Sequence, residues 1–216
     1  MGFGIKLEVW GDYALFTRPE MKVERVSYDV ITPSAARGLI EAIYWKPAIK
    51  WIIDKIYVCN PIKFTNIRRN EISSKISGRN VSSVMNGGNT SLFIDITADR
   101  QQRASLVLRD VRYIIEARFE LTEKAEEADT IEKHYNIILR RARKGWHYHQ
   151  PCFGCREFPA SFTLFEGNIP KTIEQDSDLG FMLYDLDFKS REITPQFFRA
   201  EMKNGVIDLR NVELKK

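Results

Sequence analysis

Two amphipathic helical stretches, each lodged between strand-like runs, constrain this chain more than any other feature of it. Ile5 to Phe16 sets Ile5, Leu7 and Val9 against Lys6 and Glu8, the alternation of a half-buried strand. Thr32-Pro33 opens the first helix. Thr32 is placed to cap it, and Pro33 takes the first helical position, where a missing N–H costs nothing. Ala36, Leu39 and Ile43 form its buried stripe, and Pro47 stops it. Trp51 to Ile62 reads as a second strand, and Leu106 to Leu121 as a third, with clear alternation from Val111 onward. The second helix is expected at about Thr130 to Lys144. Asp129 and Glu132 have capping-box spacing, Ile131, Tyr135, Ile138, Leu139 and Ala142 form the apolar face, and Gly145 is a natural stop. Cys155 to Phe165, interrupted by Pro159, is the closing strand.

That order predicts an α+β fold of the ferredoxin-like βαββαβ kind, the arrangement also used by RRM modules to present a sheet to RNA. The predicted organisation is a domain over 1–165, a turn-rich insertion over 63–105 and a small antiparallel β extension over 166–216. In the extension, Gly180 to Phe188 and Gln196 to Leu209 read as strands, the latter pair hinged at Asn204-Gly205. A chain of 216 residues suits this plan, with no internal repeat or long linker to divide it further. Many unrelated functions use the fold, so topology alone assigns none.

Charge narrows the field. From Lys133 to Arg156 there are six basic residues and no acid, and all three histidines of the chain lie in that stretch. Lys63 to Arg112 holds nine basic residues against four acids. An acidic run, Glu116 to Glu132, precedes the first of these stretches. Such segregation suits a polyanionic partner, although a solvated helix face has the same signature. No window of about 18 apolar residues offers a membrane span, and residues 1–6 lack the apolar core of a secretory signal. Three cysteines do not make a disulfide scaffold, so a reducing cytoplasm is the expected location and no membrane partner is expected.

Several groups invite chemistry. His147, His149, Cys152 and Cys155 could ligate zinc, but all four crowd one loop, where structural sites draw pairs from separated segments. Two small half-buried cysteines at the start of a strand are the plainer reading. Lys133 and His134 stand in the first turn of the second helix, where unpaired N–H groups favour anions. Two cationic side chains there oppose the helix dipole, a small cost that a bound phosphate would justify. A surface Lys beside a partly buried His is the alternative. By spacing, His134 flanks the apolar face, and Lys133 lines up with Arg140, Arg141 and Lys144 on the basic side. Tyr44-Trp45-Lys46-Pro47 joins aromatics to a cation, as base stacking and phosphate contact require, or else simply closes the core. Asn86 to Thr90 lacks the Lys and helix of a nucleotide-binding loop, and no nucleophile elbow is present.

Six segments together resemble one family. Gly11-Asp-Tyr-Ala-Leu-Phe-Thr17, Ile43-Tyr44-Trp45-Lys46-Pro47, Gly87-Gly88-Asn89-Thr90, Arg109-Asp-Val-Arg-Tyr113, Lys133-His134-Tyr135 and Gly154-Cys155-Arg156-Glu157 are similar to the fifth CRISPR-associated (Cas) protein family in its type I-C form. The likeness runs from about Glu8 to Pro159 and is looser beyond. It implies an endoribonuclease that cuts precursor CRISPR RNA within the repeat hairpin without a metal or other cofactor. It also implies that the protein then remains in the type I-C interference complex with the backbone and large subunits. The family's proposed catalytic trio falls on Tyr44, Lys133 and His134, and Lys46, Arg140, Arg141, Arg143, Lys144 and Arg156 become candidate RNA contacts.

Cleavage without metal uses the 2′-hydroxyl as nucleophile and leaves a 2′,3′-cyclic phosphate and a 5′-hydroxyl. A histidine then suits proton transfer, a lysine the phosphorane charge, and a tyrosine orientation of the phosphate or protonation of the leaving oxygen. A non-catalytic subunit capping the 5′ handle of the CRISPR RNA is the alternative, and it has no need of a Lys-His pair beside Tyr44.

Overall fold

The computed structural model describes residues 3–21, 23–168, 170–187 and 193–215. Residues 1–2 and Phe188, the expected end of a strand, lie outside them. β1 (Gly4–Ala14) and β3 (Ile49–Val58) flank the second half of β5 (Arg100–Leu121), both antiparallel to it. β6 (Ser161–Leu164) pairs with the outer edge of β1, so the sheet reads β6-β1-β5-β3. Counted without insertions this is fourth, first, third, second strand, which is the ferredoxin-like order. β9 (Val206–Asp208) adds a further strand beside β3.

The alternation of β1 explains why the sheet has a buried face. Ile5, Leu7 and Val9 are buried with Ile56, Ile115 and Ala117 from its neighbours, beneath Leu39, Ile40 and Ile43 of α1 (Pro33–Ile43). Each fully buried Leu or Ile contributes about 1.5–3 kcal/mol relative to exposure. α4 (Ile131–Lys144) contacts both α1 and β6. β7 (Ser177–Asp187) and β8 (Thr194–Met202) form a separate two-stranded sheet, with β7 against α1. Asn204 and Gly205 both have positive φ, the turn expected there. The chain leaving that turn bridges back only at Lys203 and Val206 and joins the main sheet as β9.

Two expectations need correction. The insertion is more regular than its turn-rich composition predicts: β4 (Phe64–Ile72) pairs with the first half of β5 from Arg100 to Leu108, forming a long two-stranded arm. Its tip carries α2 (Gly78–Met85) and α3 (Ile96–Asp99), neither with a buried residue, and β2 (Arg25–Val26) runs parallel to its base. Asp110, at φ 53°, marks where β5 passes from β4 to β3. Local propensity missed this strand because β4 alternates half-buried with exposed positions, with no fully buried residue, and its pairing is tertiary. The second expectation concerns α4, whose cap is Thr130, not Asp129: Thr130 Oγ1 accepts from Lys133 N at 3.2 Å. Its fully buried side chains are His134, Ile138 and Ala142, while Tyr135 and Leu139 lie at the margin and Ile131 is exposed. The helix is therefore rotated from the expected face, and the histidine turns inward.

The 152–155 loop is closed by packing. Phe153 is fully buried and meets the rings of Phe16 and Tyr113 edge-on. Gly154, at φ 80°, lies so close to the Leu15 carbonyl that a Cβ would overlap it, while Leu15 N donates to Phe153 O at 3.0 Å. Cys152 and Cys155 are half-buried free thiols. Among the described residues no cluster of three or more His, Cys, Asp or Glu side chains is arranged to hold a metal ion. The His147 ring packs on Phe162 and that of His149 on Tyr148.

Candidate active site at the end of the first helix

The end of α1 is fixed from several sides, and this is what positions Tyr44. A helix leaves its last carbonyls without intrahelical donors. Here Tyr44 turns extended, at φ −152° and ψ 118°, and its own N–H donates to Ile40 O at 2.9 Å. Ala42 O accepts from both Tyr148 N and His149 N at 3.0 Å. Arg141 donates to Ile43 O at 2.6 Å, and the Trp51 indole to Tyr44 O at 2.9 Å. A cation at a helix C-terminus is also favoured by the dipole.

So held, Tyr44 places its hydroxyl 2.6 Å from His134 Nδ1, in a buried hydrogen bond across 90 residues of sequence. Tyr44 and His134 are only 2% and 1% exposed. On the far side of the imidazole, Nε2 stands 3.4 Å from Asp129 Oδ1, off the line of a hydrogen bond, and has no hydrogen-bond partner. Asp129 is in turn held by Lys133 Nζ at 3.0 Å, which also donates to Ala128 O at 3.0 Å. The result is one chain of groups: Tyr44, His134, Asp129, Lys133.

Burial pushes the His134 imidazole below its ordinary pKa, against the pull of the Asp129 carboxylate. Burial likewise pushes the Tyr44 phenol up, opposed by the Arg141 guanidinium, which sits 5.1 Å from the ring centroid. The Lys133 ammonium holds Asp129 below the usual carboxylate range. At neutral pH the pair is therefore a neutral phenol on a neutral imidazole, flanked by a compensated carboxylate. Such an arrangement orients the tyrosine hydroxyl firmly.

Tyr44 also lines a cavity of about 680 Å³ between the end of α1 and the segment after α4. Lys46 and Arg141 lie on its wall, as do Trp45, Tyr148 and His149. Trp45 is 53% and Tyr148 75% exposed. The other candidate cations are dispersed. Arg140 is exposed, Lys144 sits 4.6 Å from the centroid of Trp146, Arg143 is engaged by Glu166 at 2.9 and 3.0 Å, and Arg156 is exposed on the 152–157 loop. Arg141, grouped by spacing with the basic side of α4, instead turns toward α1. Sequence reasoning missed Asp129 as the partner of His134, and Tyr148 and His149 as neighbours of Tyr44. Only the i,i+4 relation of Asp129 to Lys133 gave a signal for the former. The latter depends on the backbone anchorage at Ala42.

The model of the CRISPR-associated Cas5 proteins, in its Cas5d form, matches residues 4–210. The chain is 56% identical over 212 residues to the CRISPR pre-crRNA endoribonuclease Cas5d of Mannheimia succiniciproducens, covering 95% of this chain and 94% of that protein. It is 43% identical over 223 residues to the CRISPR pre-crRNA endoribonuclease Cas5d of Thermus thermophilus, covering 95% and 90% respectively. A crystal structure of a CRISPR-associated protein shares the fold, with a TM-score of 0.69 at 24% identity over 99% of this chain and 96% of the other. With a match along nearly its whole length and relatives this similar over nearly all of theirs, the chain belongs to the Cas5d family of CRISPR-associated proteins.

Proposed function

We propose that this protein is an endoribonuclease that cleaves precursor CRISPR RNA within the repeat hairpin, without a metal ion, by attack of a ribose 2′-hydroxyl on its own phosphate. The observation that carries this reading is the buried 2.6 Å Tyr44–His134 hydrogen bond, with Tyr44 itself lining a cavity that has basic and aromatic walls. The two relatives named above are pre-crRNA endoribonucleases, which supports the same substrate.

In this reading Tyr44, which lines the cavity, protonates the departing 5′-oxygen, its hydroxyl hydrogen turning from His134 Nδ1 to the substrate. His134 fixes that hydroxyl and tunes it. Lys133 has spent two of its three donors on Ala128 O and Asp129. The third is free to meet charge developing on the phosphorane, and its side chain is 46% exposed. Lys46, Arg140, Lys144 and Arg156 hold the RNA backbone, with Arg141 and Arg143 as contributors once their protein partners are shared. The product stays bound, and the protein serves as a subunit of the type I-C interference complex beside its backbone and large subunits, in the cytoplasm.

The test is specificity of cutting. Incubated with a repeat-containing transcript and an unrelated hairpin of equal length, the protein should cut the first at one position per repeat and leave the second intact. Tight binding of the repeat with no cut would leave a handle-capping subunit.

A further inference from the structure

His134 is poorly placed to exchange protons with RNA directly. Its ring is 1% exposed, Nδ1 is taken by the Tyr44 hydroxyl, and Nε2 faces Asp129. Unlike Tyr44, which is as deeply buried but reaches the cavity wall, His134 does not line the cavity, so a ribose 2′-hydroxyl seated there meets neither nitrogen while these contacts hold. The cavity that Tyr44 lines nevertheless has an exposed imidazole on its wall, that of His149.

His149 is held in register with Tyr44 by the main chain. Its N–H and that of Tyr148 both donate to Ala42 O, two residues before Tyr44, at 3.0 Å. The Tyr148 ring meets the His149 ring edge-on at 4.5 Å, which limits where the imidazole can turn. Main-chain anchorage fixes where the His149 side chain starts on the cavity wall, beside Tyr44. Around it stand surfaces a nucleotide would use: Trp45 and Tyr148 for a base, Lys46 and Arg141 for a phosphate. The volume of about 680 Å³ lies within the range of small-ligand sites.

We propose that His149 is a catalytic residue of the cleavage, taking the 2′-hydroxyl proton of a nucleotide seated in this cavity. The inference rests on the endoribonuclease reading above. In the step, the 2′-oxygen forms a bond to phosphorus while its proton passes to the His149 imidazole. The bond from phosphorus to the 5′-oxygen breaks, and that oxygen takes the Tyr44 hydroxyl proton. The proton gained by His149 returns to Tyr44 through solvent, so the transesterification is proton-neutral overall. Two histidines then divide the work: His149 moves the proton and His134 positions the tyrosine.

The experiment compares single-turnover cleavage and repeat-RNA affinity for the wild type and His149→Ala, whose exposed side chain can be removed without opening the core. The expected result is a rate lower by roughly 10²-fold or more, affinity within about threefold, loss of the acid limb of the pH–rate profile and partial rescue by free imidazole. A substrate with sulfur replacing the bridging 5′-oxygen needs no acid, so His149→Ala should remain slow on it. Full recovery on that substrate would make His149 the acid and overturn the assignment. A His149→Ala rate within about threefold of the wild type, with an unchanged profile, would sink the inference alone. A wild type that binds the repeat and never cuts it would sink the endoribonuclease reading, and this inference with it.

Discussion

Tyr44→Phe removes one oxygen and almost nothing else, which makes it the sharpest perturbation of the proposed site. The ring stays buried, so no cavity opens, and its contacts with Arg141 and His134 survive. What goes is the 2.6 Å hydrogen bond to His134 Nδ1. Nε2 already has no hydrogen-bond partner, so the imidazole would be left with neither nitrogen satisfied. An unsatisfied buried polar group costs about 1–3 kcal/mol. In a chain of this size each kcal/mol lowers Tm by about 2–4 °C, so the variant should melt about 2–12 °C lower yet remain folded at 25 °C. The effect on cleavage should be larger. Loss of a positioned acid costs roughly 10²- to 10⁴-fold, equivalent to about 2.7–5.4 kcal/mol of transition-state stabilisation. The assay is single-turnover cleavage of a repeat hairpin, run as a cycle with His134→Gln and the double variant. Because His134 acts through the tyrosine, the double variant should be no slower than the worse single by more than a few-fold. Fully additive losses, or a Tyr44→Phe rate within about threefold of the wild type, would refute the pairing.

Other outcomes follow from the same structure. Arg140→Ala and Lys144→Ala should each weaken repeat binding and flatten its salt dependence by roughly 0.7–0.9 of log Kd per log salt; an unchanged slope would remove this side of α4 from the RNA path. Gly154→Ala should destabilise by roughly 2–5 kcal/mol, from left-handed strain and overlap with the Leu15 carbonyl. Gly87→Ala, at φ 86° with nothing within 4 Å, should lose only the strain, about 1–2 kcal/mol, and equal Tm losses would contradict this. His134 has its folded-state pKa lowered, chiefly by burial. The unfolded chain therefore binds the extra proton first. Stability from this group should be fully present above the ordinary imidazole pKa near 6.5 and decline as pH falls through it toward the lower folded value. Denaturant titrations should show that slope in the wild type, and its persistence undiminished in His134→Gln would assign it elsewhere.

The sequence carried the scaffold well where alternation and capping were local. Thr32, Pro33, Ala36, Leu39 and Ile43 behave as their spacing predicts, as do Ile5, Leu7 and Val9, because each signal lies within one element. It carried the arm poorly. Phe64 to Ile72 becomes a strand through pairing with residues 100–108, and nothing within those nine residues announces it. The buried face of α4 departs from its spacing for a related reason. Hydrophobic periodicity favours Tyr135 and Leu139 over His134, since it cannot know that a tyrosine 90 residues away will satisfy the imidazole. Tyr44, Lys133 and His134 were legible as residue types through family resemblance. Their linkage through Asp129, and the neighbourhood of His149, exist only in three dimensions.

In the proposed reaction the site cuts RNA with the substrate's own 2′-hydroxyl. The most direct test is cleavage of a synthetic repeat hairpin in excess EDTA, with both product ends identified and a single deoxyribose at the scissile position as control. The expected products are a 2′,3′-cyclic phosphate and a 5′-hydroxyl, with no cut in the deoxy substrate. A 5′-phosphate product, or continued cutting of the deoxy substrate, would contradict it.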